Sequence, residues 1–130
     1  MVAQVKTIAP HLSEHDIQGL ILDWLLLNKY YAWRNNSGAV VSEYKGKKRF
    51  MRYGKVGSSD ILGVLTVKDL GVMLCIEVKL PKNKPTPEQI EFINTINKKG
   101  GLAFVTHSLE ETIEIIRNHE KKLLTMYYGI

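Results

Sequence analysis

Hydrophobic positions recur at two different periods along this chain, and the period switches where turn residues cluster. After Ser13, the residues Ile17, Leu20, Ile21, Trp24 and Leu25 fall at helical spacing and predict an inward face. Ser13 is placed as the N-cap, with Glu14 and Asp16 as acids in the first turn, and the helix is expected to stop near Asn28-Lys29. "YYAWRN" reads as an aromatic strand and "NSG" as a turn. Residues 39–56 predict a hairpin or extended excursion around Lys45-Gly46. "SSDILGVLTV" and "VMLCIEVKL" predict two strands joined at Lys68-Asp69-Leu70-Gly71.

A second helix is announced by Thr86 as cap, Pro87 at the first position and Gln89 at capping-box spacing. Ile90, Ile93 and Ile96 give it a buried side, and Gly100-Gly101 ends it. "LAFVTH" is a short strand. Ser108 and Glu111 form another predicted capping box, opening a helix with Leu109, Ile113 and Ile116 inward. The tail "LLTMYYGI" reads as a last strand or a partner-binding segment. This order predicts an α/β sandwich, a mixed central sheet flanked by helices. The 130 residues suit one domain over 1–130, with no repeat or linker.

Composition adds limits. A hydrophobic content of 45% supports a real core. No window approaches the ~20 apolar residues of a membrane span, and MVAQVKTIAP does not read as a signal peptide. The lone Cys75 excludes internal disulfides and four-thiolate zinc sites, and suits a reducing, cytoplasmic setting (a host cytoplasm, if the source is viral). His11, His15, His107 and His119 lack zinc-ligand spacing, Ser58 and Ser59 have no evident base, and no phosphate-cradling loop occurs. The net charge of +5 favours a polyanionic partner. Six cations, Lys45, Lys47, Lys48, Arg49, Arg52 and Lys55, lie within the 39–56 excursion, interleaved with Phe50 and Tyr53. That mixture suits contacts to DNA phosphates and bases; the plainer reading is a lysine-studded hairpin that resists edge-to-edge aggregation.

The chemistry concentrates in "LCIEVKLPK". Alternation puts Met73, Cys75, Glu77 and Lys79 on one strand face and Leu74, Ile76, Val78 and Leu80 on the core face. The first face is expected to be covered at its Met/Cys end and open at its charged end. Taken alone, Glu77 and Lys79 form an ion pair near the strand's exit. A hairpin, however, brings Asp60 beside Glu77, and two close carboxylates call for a divalent cation such as Mg²⁺. Lys79 is then placed to orient or deprotonate a water and to stabilise charge on a phosphate.

In order along the chain, "SEHDIQ", "RNNSG", "GSSDILGV", "CIEVKLPKNKPTPEQIEFI" and "KKGGLAFVTHSLEE" carry a resemblance. Together they resemble the virus-type replication-repair nuclease (VRR-NUC) domains, of the small stand-alone kind, within the PD-(D/E)xK nuclease superfamily. The resemblance implies a restriction-endonuclease-like fold. It also implies Asp60, Glu77 and the carbonyl of Val78 as ligands of Mg²⁺ or Mn²⁺, with Lys79 as the catalytic lysine. Gln89 would face the active site, against its plainer reading as a capping-box residue. Glu14 would complete the metal environment, against its reading as an acid at a helix start, with Asp16 a nearby competitor. Gln18 matches a polar position of the same helix. Arg34 and Ser37 would touch phosphate.

The expected function is therefore metal-dependent, structure-specific cleavage of DNA, on branched forms such as four-way junctions or flaps. A homodimer is expected to present two sites to two strands, with Tyr127 and Tyr128 either contributing to it or lying in the core. The alternative is a non-catalytic nucleic-acid-binding module on the same scaffold. A basic protein–protein adaptor has only the charge balance behind it.

Overall fold

The computed structural model describes residues 11–36 and 38–130, apart from the side chains of residues 38–40, 52 and 53. Helix α1 (Glu14–Leu27) starts on a reciprocal capping box between Ser13 and Asp16 and stops at Asn28. Lys29 then takes a positive φ of 64°, which turns the chain into β1 (Tyr31–Arg34). Strands β2 (Gly38–Tyr44) and β3 (Lys47–Tyr53) pair only with each other, as a separate two-stranded sheet. They are joined by Lys45 and Gly46, both at positive φ, the signature of a tight hairpin turn.

The main sheet contains β4 (Ile61–Val67), β5 (Leu70–Val78) and β6 (Leu102–Thr106), in the order β1-β4-β5-β6. The β1–β4 and β4–β5 pairings are antiparallel, whereas β5–β6 is parallel and needs a crossover helix, α2 (Pro87–Lys98). Helix α3 (Leu109–Tyr128) follows β6. The mixed sheet and flanking helices are the α/β sandwich that the alternation of periods predicts.

The two sheet faces are covered unequally. Ile61, Leu65, Leu74, Ile76 and Val78 point into a closed core with Ile17, Ile21 and Leu25 of α1 and Ile116 and Leu123 of α3. Among the described helices only α2 roofs the opposite face, packing on β5 and β6. Cys75 and Ala103 are buried there, while Tyr31, Trp33, Val64 and Met73 remain exposed.

Five expectations change. Leu20 is exposed, because Ile17, Ile21 and Leu25 already form the stripe that meets the sheet. Helix α2 buries none of its residues fully and Ile90 is 45% exposed, since the helix lies over one half of the sheet and no other described element packs on its outer side. The Ser108–Glu111 box is one-sided: Ser108 Oγ accepts from Glu111 N, but the Glu111 carboxylate turns to the N–H and ring of His107. The tail is no strand, because α3 runs on to Tyr128 and is closed by Gly129 at φ +66°. Finally, the covered end of β5 is the Cys75–Glu77 end, and Met73 is the exposed one.

Candidate active site

The β4–β5 ladder places the chemistry. Ile61 faces Ile76, so the next pair towards the open end is Asp60 and Glu77. Gly57 delivers Asp60 there. Its φ is +80°, and a Cβ at this position would lie 2.4 Å from the Glu88 carbonyl oxygen, so only glycine lets the loop press against the first turn of α2. Asn35 holds the same loop from β1's side. Its backbone N–H donates to the Asp60 carbonyl at 2.7 Å, and its side-chain amide donates to Ser58 Oγ and the Ser59 carbonyl.

Around the two acids the bonding is dense. The Asp60 N–H donates to Glu77 Oε2 at 3.2 Å, and the Val78 N–H donates to Asp60 Oδ2 at 2.8 Å. Lys79 Nζ lies 3.4 Å from Glu77 Oε1, with its side chain mostly buried. Gln89 Nε2 donates to the same Oε1 at 2.8 Å. Its Oε1 meanwhile accepts from the Thr86 N–H at 2.9 Å, so the two readings of Gln89 hold at once. The capping box locks one end of the amide and thereby aims the other at Glu77.

Glu77 is 1% exposed. Burial first, and then the negative charge of Asp60, pushes its carboxyl up to about 7 against the pull of Lys79. Burial likewise raises Asp60, opposed by the Val78 N–H and by Lys79. Two desolvated, mutually repelling carboxylates fit a hard divalent cation, which would relieve both costs. Among the described residues no three acidic, imidazole or thiol side chains converge enough to hold an ion by themselves. Two carboxylates completed by main chain or water would suit an ion that keeps several waters.

The remaining expected residues divide. Glu14 stands at the same end of the sheet, but its Oε1 accepts from the Leu80 N–H at 3.1 Å and Asn83 Nδ2 at 2.9 Å. The Asn83 bond is the main reason its carboxyl sits below the usual range. Its charge still acts on Asp60, raising it. Arg34 turns towards α1 and donates to Gln18 Oε1 at 2.7 Å and to His15 Nδ1. Ser37 and the Arg52 side chain lie outside the described residues.

The basic excursion is the β2–β3 hairpin. Its register puts Lys47 and Arg49 on one face with Tyr44, and Lys48 on the other, directly opposite Glu43. Lys45 Nζ lies 5.5 Å from the centroid of the Tyr44 ring. Lys55 belongs elsewhere: it borders a recess of about 560 Å³ against Glu88, Glu91 and Phe92 of α2. Tyr128 donates to Asp69 and lies under Lys68 Nζ, which ties the end of α3 to the β4–β5 turn, whereas Tyr127 is exposed. Asn35, Asn83 and His15 serve the site without a sequence signal of their own; each is a polar residue whose partner lies on another element.

The sequence matches the family model of the VRR-NUC domain over residues 12–110. The chain belongs to the VRR-NUC family. No curated protein matches it. Among solved structures, a VRR_NUC domain protein superposes with a TM-score of 0.60 at 20% identity, covering 87% of this chain and 92% of the other. That likeness shows the fold, which is nuclease-like. Membership makes this VRR-NUC chain a nuclease-family domain, with DNA as the substrate class the family implies. The match contains Asp60, Glu77, Lys79 and Gln89 and stops just after α3 begins.

Proposed function

We propose that the protein is a Mg²⁺- or Mn²⁺-dependent endonuclease that hydrolyses phosphodiester bonds in branched DNA. The observation that carries this reading is the half-buried Asp60 beside the buried Glu77, held with Lys79 and Gln89 at the mouth of the β4–β5 hairpin. Asp60, Glu77 and the main chain of Val78 would hold the ion, with Glu14 acting on them through its charge. When bound, such an ion offsets charge on the scissile phosphate and lowers the pKa of water.

The chain's own residues do the rest. Gln89 fixes the rotamer of Glu77, so the carboxylate is aimed before substrate arrives. Lys79, tethered by Glu77, sets its ammonium where it can meet a phosphate oxygen or take part in proton transfer from the attacking water. Lys47 and Arg49 supply backbone contacts at a distance from the cut. With little surface for reading a long sequence, the domain is suited to recognising DNA shape. A homodimer would bring two such sites to two strands of a junction.

The Lys79–Glu77 contact also supports a second reading, in which the pair satisfies itself and the domain only binds DNA. Labelled four-way junction, flap and linear duplex DNA, incubated with Mg²⁺, Mn²⁺ or EDTA, separate the two. Metal-dependent cutting that disappears in Asp60→Ala and Lys79→Ala is expected. Tight binding without cutting in either metal would leave the binding module. Solution mass on junction DNA tests the dimer, and a strict monomer excludes it.

A further inference from the structure

The open half of the second sheet face is continuous with the carboxylates. On β1, Ala32 packs on the core and Arg34 reaches α1, so Tyr31 and Trp33 must project from the opposite face. That is the face of Glu77, whose partner Gln89 belongs to α2. Trp33 stands opposite Leu62 and Tyr31 opposite Val64. Asp60 is two residues from Leu62 on the same strand path, so Trp33 lies about 7 Å along the sheet from the carboxylate level, and Tyr31 about 13 Å.

Both rings are open to solvent, Trp33 at 46% and Tyr31 at 75% exposure. They meet edge to face with centroids 5.6 Å apart, which steadies the indole without covering its outer side. Val64 and Met73 continue the surface, and none of the four residues is charged. Four side chains fall far short of the roughly 20–30 residues a side of a stable protein interface, so the patch by itself does not hold a second copy. An aromatic surface on a sheet, one step from a phosphate-cleaving site and in a chain of net charge +5, matches a nucleobase.

We propose that Trp33, supported by Tyr31, is a stacking platform for an unpaired base beside the scissile phosphate. The site would thereby select DNA that is frayed, flapped or single-stranded next to the cut. A base within a duplex has both faces occupied by its neighbours, whereas an unpaired base can give one face to an indole. This inference rests on the nuclease reading and refines its substrate.

The test needs no cleavage. In EDTA, binding of the full chain to a flap oligonucleotide with a fluorescent adenine analogue beside the branch is compared with binding to a fully paired duplex. Wild-type protein is expected to quench the analogue in the flap. Trp33→Ala is expected to abolish the quench and weaken flap binding about 10-fold, with a several-fold smaller loss on duplex. Trp33→Phe, which keeps a ring, should recover most of the affinity and also controls for folding. Equal losses on flap and duplex, or an undiminished quench in Trp33→Ala, would overturn the platform while Mg²⁺-dependent cutting remained intact. A Trp33→Ala change that turns a dimer into a monomer would overturn it in favour of a second copy. No binding and no cutting of any DNA would overturn the nuclease reading and the platform together.

Discussion

The molecule contains two antiparallel hairpins of nearly equal strand length, and they use charge in opposite ways. Strands β2 and β3 turn through Lys45 and Gly46; β4 and β5 turn through Lys68 and Asp69, again with a lysine at positive φ. Local geometry is therefore similar. In β2–β3 every described side chain but Ser42 is exposed, Val41 and Phe50 among them, and Lys45, Lys47, Lys48 and Arg49 stand in water. In β4–β5 almost every inward residue is buried; Lys68 and Asp69 lie at the exposed turn, and at the opposite end, the mouth, Glu77 is held in the interior by named partners. Screened charges act by number and are interchangeable, whereas desolvated ones act by position.

The largest effect separating the hairpins is expected from a single atom group at the β4–β5 mouth. Lys79→Ala should lower metal-dependent cutting at least ~100-fold while changing DNA affinity only a few-fold, as read from single-turnover cleavage beside anisotropy. No substitution in β2–β3 should reproduce that split; one that did would erase the distinction.

Next comes pH. Glu77 is raised to about 7 in the fold, mainly by burial and then by Asp60, so the native state holds a proton that the unfolded chain has already lost. The stability this contributes is fully present below the unfolded carboxyl value and is lost as pH rises through about 7. In EDTA, denaturant titrations should show a fall on the order of 2 kcal/mol from pH 5 to pH 8. Glu77→Gln should flatten that slope, and saturating Mg²⁺ should flatten it too by taking the proton's place. A wild-type slope that is unchanged in Glu77→Gln would assign the effect to another group.

For the other hairpin the expected effect is smaller and salt-dependent. Lys47→Ala with Arg49→Ala should reduce the log–log salt slope of DNA binding by about 2, near 0.9 per lost phosphate contact. Lys48→Ala should do less, because Glu43 faces it across the ladder. An unchanged slope in the double variant would remove the hairpin from the DNA surface. The smallest change is expected at the support of Gln89: Thr86→Ala should cost about 1 kcal/mol of stability through the lost cap, measured by thermal unfolding. A modest loss of cutting should accompany it, since Gln89 is less firmly aimed.

Much of this was legible in the chain. Ser13, Thr86 and Ser108 announce the three helix starts because a cap is a local bond between residues three apart. Alternation along "LCIEVKLPK" correctly assigns Glu77 and Lys79 to one face, because the strand period is a property of the backbone. Leu20 and Ile90 were misjudged for the complementary reason: helical spacing says which residues share a side, not whether a neighbour covers it. The strand reading of the tail failed likewise, its aromatic run "MYY" suiting a strand until α3 carried it through on the helix.

What the sequence determined by itself is the order of elements, the caps and turns, and the meeting of Asp60 with Glu77 once the hairpin closes. All of these depend on short-range geometry or a two-residue turn. Tertiary structure alone decided that Gln89 bridges cap and carboxylate, that Asn35 and Asn83 hold the site's loops, and that α2 roofs one half of the sheet while leaving Trp33 and Tyr31 uncovered. These features join residues distant in sequence through three-dimensional packing, and no local period encodes which surface remains open.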